Sequence, residues 1–102
     1  FQGMWVAIFY SRRQLNTPDY EGWAQRMQSQ VQRQPGFSHS HSFRDESGFG
    51  VTLSYWSSKE ALQAWGQQAD HRDAQQYGRD HAYQEYRLEI AEIQAVRQFS
   101  RD

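Results

Sequence analysis

Apolar residues fill both parities of the segment Met4–Arg13. Val6, Ile8 and Tyr10 point one way, and Trp5, Ala7 and Phe9 point the other. This pattern predicts a strand that must be covered on both faces. Asn16-Thr17-Pro18 then predicts a helix start, with Thr17 as N-cap and Pro18 in the first turn. Tyr20, Trp23, Ala24, Met27 and Val31 recur at helical spacing, and Pro35-Gly36 ends the helix. Phe37–Arg44 alternates strictly, which predicts a strand with Phe37, His39, His41 and Phe43 on one face and Ser38, Ser40 and Ser42 on the other. Asp45-Glu46-Ser47-Gly48 reads as a turn into a hairpin partner. In that partner Phe49, Val51, Leu53 and Tyr55 share one face, and Gly50, Thr52, Ser54 and Trp56 the other.

A capping box of Ser57 with Glu60 predicts a second helix carrying Ala61, Leu62, Trp65 and Ala69, weakened by Gly66. A further helical stretch is predicted from about Asp70 to His81, with Ala74, Tyr77 and His81 on one side. Tyr86, Leu88 and Ile90 alternate as a last strand, and a change of parity near Ala91-Glu92 predicts a bulge there. The order β-α-β-β-α-β is the split βαβ of an α+β, ferredoxin-like domain. Two helical regions cover one face of a four-stranded sheet, so the apolar second face of the first strand needs another cover. A second copy of the same sheet is the simplest one, and the pattern therefore predicts a homodimer through the sheet faces.

At 102 residues the chain fits one domain, assigned to residues 4–102. Phe1-Gln2-Gly3 has the look of a cleaved expression tag, with Met4 as the natural start. No apolar run is long enough to span a membrane and no secretory signal follows Met4, so the expected location is the cytoplasm, with no membrane partner. The absence of cysteine excludes disulfides, thiolate nucleophiles and cysteine-ligated metals. A net charge of -1 with interspersed signs gives no basic stripe, and no nucleic-acid partner is expected. The aromatic fraction of 16%, with four Trp, exceeds what one small core requires and points to an apolar pocket, an interface, or both.

Val6-Ala7-Ile8-Phe9, Gln34-Pro35-Gly36-Phe37, the run Gly48–Trp56, Ala64-Trp65 and His71-Arg72-Asp73-Ala74-Gln75 together resemble the antibiotic biosynthesis monooxygenase family, over nearly the whole chain from Met4. The resemblance looks closest to a small branch of largely uncharacterised bacterial proteins. It implies a dimeric α/β barrel with a cavity in each protomer between helices and sheet. Relatives include cofactor-independent oxygenases of aromatic polyketides, haem-degrading enzymes and quinol oxygenases, and fold alone does not choose among them. It also implies that Trp65 stands where oxygenase relatives carry a tryptophan. Ala61 stands where polyketide oxygenases often have an asparagine, one turn earlier. Gln75 and Ser11 are nearest to a haem-ligating histidine and an asparagine of the haem-degrading relatives, and neither side chain substitutes for those groups.

Four residues are candidates for chemistry. His71, near the predicted helix start after Asp70, is the candidate general base for a phenolic substrate, or else a histidine that bonds across helices or to a dimer mate. Trp65 is either the stacking wall for a flat ligand or a core residue covering the sheet. Tyr55 and Tyr83 are expected as secondary polar contacts, and Trp56 and Tyr86 could add further rings. His39-Ser40-His41 has the spacing to place two imidazoles on one metal, but it lacks an evident third ligand, so no metal is assigned. Arg12, Arg13, Arg79 and Arg87 are either steering charges or solvated surface. The resulting expectation is a monooxygenase-like enzyme that needs no cofactor and acts on a flat phenolic or quinol-like molecule. The alternatives are a non-catalytic small-molecule-binding or stress-associated dimer and, last, a haem-binding or haem-degrading protein.

Overall fold

The computed structural model describes residues 4–14, 20–68, 76–77 and 83–101. The elements are β1 (Trp5–Arg13), α1 (Tyr20–Gln32), β2 (Phe37–Arg44), β3 (Phe49–Trp56), α2 (Lys59–Gln67) and β4 (Tyr83–Glu92). The strands form one sheet in the order β2-β3-β1-β4, with every neighbouring pair antiparallel. This is the ferredoxin-like α+β arrangement that the pattern predicted. The predicted helix start at Thr17-Pro18 and most of the predicted 70–81 helix lie outside the described residues, although Gln76 and Tyr77 are helical.

Register assigns each side chain to a face, because directly paired residues of adjacent strands share one. The first face carries Trp5, Ala7, Phe9 and Ser11 of β1. Beside them stand Gly50, Thr52, Ser54 and Trp56 of β3, and Tyr86, Leu88 and Ile90 of β4. The second face carries Val6, Ile8, Tyr10 and Arg12 against Phe49, Val51, Leu53 and Tyr55, and against Glu85, Arg87, Glu89 and Ala91. The helices cover the first face. Val31 of α1 and Leu62 and Trp65 of α2 bury Trp56 completely, with Met27, Trp5, Ala7, Phe37 and Ala61 packed around them. The Trp56 indole N–H donates to Ser54 Oγ at 3.1 Å, so its one polar atom is satisfied inside the core. The second face has no helix over it among the described residues, and β1 is apolar on both sides, as expected.

Three local expectations are corrected. The strict alternation of β2 breaks between Phe37 and His39. Phe37 pairs with Trp56 and packs edge-on against it at 5.4 Å on the helix side. His39, His41 and Phe43 pair with Tyr55, Leu53 and Val51 on the open side. The extra residue of this irregularity lets both bulky groups reach a partner. The cap of α2 is Ser58, whose Oγ accepts the Ala61 N–H at 3.0 Å. Ser57 belongs to the preceding turn, because its N–H donates to the Gly36 carbonyl at 2.8 Å. Finally, β4 stays in register through Ala91 and Glu92, and the shift falls at the other end, opposite Arg12/Arg13.

Candidate functional site

The two ends of the helix-covered face differ in character. At the Trp5 end the core closes around Trp56 and Trp65. The rings of these two residues lie nearly parallel at 6.4 Å, and Trp65 is 9% exposed. At the Arg13 end aromatic side chains from three elements converge. Phe9 meets Tyr83 and Tyr86, each at 5.4 Å. Trp23, one turn into α1, meets Tyr83 at 5.7 Å and Tyr77 at 5.1 Å. Trp23 is placed there by the same α1 stripe that sends Met27 and Val31 to the core. From this cluster an apolar strip runs along β4, where Tyr86, Leu88 and Ile90 keep 43%, 51% and 46% of their surface exposed. These three point to the helix side, and an exposed apolar strip beside an aromatic cluster is a surface on which a flat ring system can lie.

The floor of this face is unusually polar for one covered by helices. Ser40 and Ser42 of β2 lie opposite Ser54 and Thr52 of β3, and the Ser42 and Thr52 hydroxyls are hydrogen-bonded to each other. Gln28 of α1 donates to Ser40 Oγ at 3.3 Å. Ser11 is 2% exposed and accepts a hydrogen bond from Arg44 Nη2 at 2.9 Å. Small hydroxyl residues leave height between helix and sheet that larger apolar side chains would fill.

The structure brings together some of the expected site residues. Tyr83 lies in the aromatic cluster. Trp65 lies on the same face but inside the core, against Trp56. Tyr55 is corrected: the register puts it on the open face, so it does not line a cavity between the helices and sheet of its own chain. There its ring stacks on His39 at 4.4 Å and meets His41 edge-on at 6.2 Å. His71 and Gln75 lie outside the described residues. Among the described residues no group of three or more His, Asp or Glu side chains could hold a metal ion, and the His39 and His41 rings meet edge-to-face at 5.4 Å. Phe9, Ser11, Trp23 and Arg44 are the residues whose place in the cluster the sequence did not indicate. Trp23 had a usable signal, being a tryptophan on the buried stripe of the first helix. Arg44, a charged residue at a strand end, had none.

A broad groove of about 560 Å³ is bordered by Tyr10, Phe49, Glu85, Arg87 and Glu89 of the open face and also by Ser11 and Tyr86. It is shallow and crossed by the Arg12–Glu85 and Arg87–Glu89 ion pairs, at 3.6 and 2.9 Å. Its position suits contact with another sheet better than enclosure of a ligand.

The sequence profile of the antibiotic biosynthesis monooxygenase family matches residues 16–77. The chain belongs to this family. The uncharacterized protein YqjZ of Bacillus subtilis is 35% identical over 95 residues, spanning 93% of this chain and 83% of that protein. Among solved structures, SnoaB, a cofactor-independent oxygenase from Streptomyces nogalater, superimposes with a TM-score of 0.73 at 14% identity, covering 99% and 100% of the two chains. The protein NE2512 of unknown function from Nitrosomonas europaea gives a TM-score of 0.75 at 6% identity, covering 97% of each chain. At such identities the structural likeness establishes a shared fold. No described helix is long and apolar enough to cross a membrane.

Proposed function

We propose that this chain is a monooxygenase that needs no cofactor and oxidises a flat phenolic or quinol-like molecule bound on the helix side of the sheet. The observation that carries the reading is the aromatic cluster of Phe9, Trp23, Tyr83 and Tyr86, opening onto the exposed Tyr86–Leu88–Ile90 strip. Family membership supports the reaction class. In the proposed chemistry His71 removes a proton from the substrate. The resulting electron-rich anion transfers an electron to O2, and the radical pair combines to a hydroperoxide. For an anthrone, loss of water then converts the CH2 group to a carbonyl; one oxygen atom of O2 enters the product and the other leaves as water. The protein supplies orientation and the base. Tyr83 contacts the ligand, and Trp65 backs the site from the core.

The test is an oxygen-uptake screen of anthrones, hydroquinones and flavonols without added metal or flavin. A substrate found this way should lose about 10²–10⁴-fold in kcat with His71→Ala, the range of a general base. An unchanged rate in that variant, or activity abolished by a chelator, would refute the assignment.

A non-catalytic binder is the second reading, and one contact favours it. Ala61 stands where the family resemblance puts an asparagine in polyketide oxygenases. Here it packs against the core cluster and close to Gly36, a contact that brings no amide to the site. A screen in which ligands bind but no oxygen is consumed would decide for this reading.

The open face supports a homodimer. Ile8, Val51 and Leu53 form an apolar centre there, flanked by paired charges of both signs on the β4 side, a pattern that a two-fold copy of itself can complement.

A further inference from the structure

We infer that Ser11 and Arg44 form an anion-recognising end to the helix-side site and select substrates that carry an ionised oxygen; this rests on the proposal that a flat ligand lies on the aromatic strip. Three features build the pair. The first is space. Arg44 ends β2, two strands away from Ser11, and Gly50 of β3 lies between them in the register. A Cβ on Gly50 would stand 2.9 Å from Arg44 Cζ and 2.7 Å from the Phe43 carbonyl oxygen. The glycine therefore allows the guanidinium to cross β3 and reach β1. The second is fixation. Arg44 Nη1 donates to the Gly48 carbonyl at 2.6 Å and to the Ser11 carbonyl at 3.4 Å, while Nη2 donates to Ser11 Oγ at 2.9 Å. The guanidinium is thus anchored at two backbone sites as well as on the hydroxyl.

The third is placement. Arg44 Cζ lies 6.0 Å from the centre of the Tyr83 ring, within cation–π range. Tyr83 in turn touches Phe9, Trp23 and Tyr86, so the charge sits at the end of the aromatic surface. Ser11 pairs across β1 and β4 with Tyr86, the first ring of the exposed strip. The Ser11 hydroxyl accepts from Arg44, and its own proton has no acceptor among the described residues. A buried hydroxyl that accepts from a cation and keeps its proton to give is a strong donor to an incoming anionic oxygen. In the proposed reaction, deprotonation creates such an oxygen, as a phenolate or enolate. A fixed cation and donor at that position hold the reactive, ionised form of the substrate, in the manner of preorganised charge stabilisation.

The experiment compares a naphthalene carboxylate with the matching carboxamide, two ligands of one shape that differ in charge. Both are titrated into the whole chain and read by tryptophan fluorescence. The wild type should bind the carboxylate roughly tenfold or more tightly than the amide, in keeping with a charge-assisted hydrogen bond. Arg44→Gln and Ser11→Ala should each remove most of that preference by weakening the carboxylate far more than the amide, and retained binding of the amide serves as the test that the site is still folded. Equal affinity for the two ligands in the wild type, or a preference that survives both substitutions, overturns the anion end while the helix-side site stands. If neither ligand binds, the helix-side site falls and the anion end with it.

Discussion

Gly36, in the link between α1 and β2, lies against the first turn of α2, and replacing it with alanine should be among the costlier single-methyl additions in the chain. Two separate penalties act there. Gly36 has φ +84°, a backbone region that side-chain-bearing residues avoid at a cost of about 1–2 kcal/mol. A Cβ at this position would also fall on Ala61 Cβ, well inside contact distance, and 3.1 Å from Ser57 Oγ. Neither neighbour yields easily: Ala61 is fixed to the first turn of α2, and the Ser57 N–H is bonded to Gly36 itself. Overpacking of this kind costs about 1–3 kcal/mol, so the sum is about 2–5 kcal/mol, or a fall of roughly 8 °C or more in Tm. Gly48 is the internal control. Its φ of +93° carries the first penalty, but an added Cβ would meet nothing closer than the Arg13 carbonyl at 3.5 Å. The assay is urea unfolding of Gly36→Ala, Gly48→Ala, Ala61→Gly and the 36/61 double variant. The double variant should recover the packing share, about 1–3 kcal/mol of coupling, and leave the conformational share lost. If Gly36→Ala costs no more than Gly48→Ala, or if Ala61→Gly gives no recovery, the contact does not carry the energy assigned to it.

Gly66→Ala should stabilise the chain by about 0.5–1 kcal/mol, seen as a higher urea midpoint, because an added Cβ in the last turn of α2 meets nothing within 4 Å. Asp45 is held below its ordinary value of 3.8, first by the Ser47 hydroxyl and then by the Phe49 and Ser47 N–H groups and the Arg12 charge, against an opposing effect of burial. A depressed carboxyl pKa contributes stability above the unfolded value and loses it as pH falls through the folded one, so the stability gap between wild type and Asp45→Ala should hold at pH 5 and shrink below about pH 4. Leu53→Arg, at the centre of the open face, should convert a sedimenting dimer to a monomer while leaving helix-side ligand binding intact; an unchanged sedimentation coefficient would remove the open face from the interface.

What could be read in advance followed from periodicity, and what could not followed from contacts between distant elements. The double apolar face of β1, the Asp45–Gly48 turn and the Ala61, Leu62 and Trp65 part of the α2 stripe are local, and they stand where alternation or helical spacing placed them; Ala69 lies outside the described residues. The break in β2 was invisible because Phe37 and His39 are both bulky and keep the same parity in the sequence. It exists because Phe37 packs on Trp56, which lies nineteen positions later. The capping-box spacing put the α2 cap at Ser57, one residue early, because the Gly36 carbonyl that holds the Ser57 N–H comes from another part of the chain. The placement of Tyr55 failed for a related reason. Its parity was legible, opposite to that of its neighbour Trp56, but alternation does not say which face the helices take. That choice depends on Val31, Leu62 and Trp65 meeting Trp56, a packing event spread over three elements. Arg44 was illegible for the most physical reason: its importance depends on the atom that Gly50 lacks.

The two faces of the sheet solve opposite problems with the same strands. Few apolar side chains are buried: Val6, Val31, Trp56, Leu62 and Trp65 form the entire set among the described residues, and of these Trp56 alone is fully buried. A core of this size is marginal for a domain of this length, since small chains bury a smaller share of their surface on folding. The helix-covered face could have been filled with larger apolar residues, but it carries Ser11, Ser40, Ser42, Thr52 and Ser54. Those hydroxyls, on β1, β2 and β3 beside the β4 strip where the ligand is proposed to lie, give up hydrophobic stabilisation that larger apolar side chains would supply. The deficit has to be offset elsewhere, and the open face has the means: Ile8, Val51 and Leu53 remain to be covered there, and a second copy covers two such faces at once. On this argument the homodimer and the helix-side site are linked. A chain that kept a roomy, polar-floored site under its helices would rely on its other face for stability, and its Tm should rise with protein concentration as the dimer is populated.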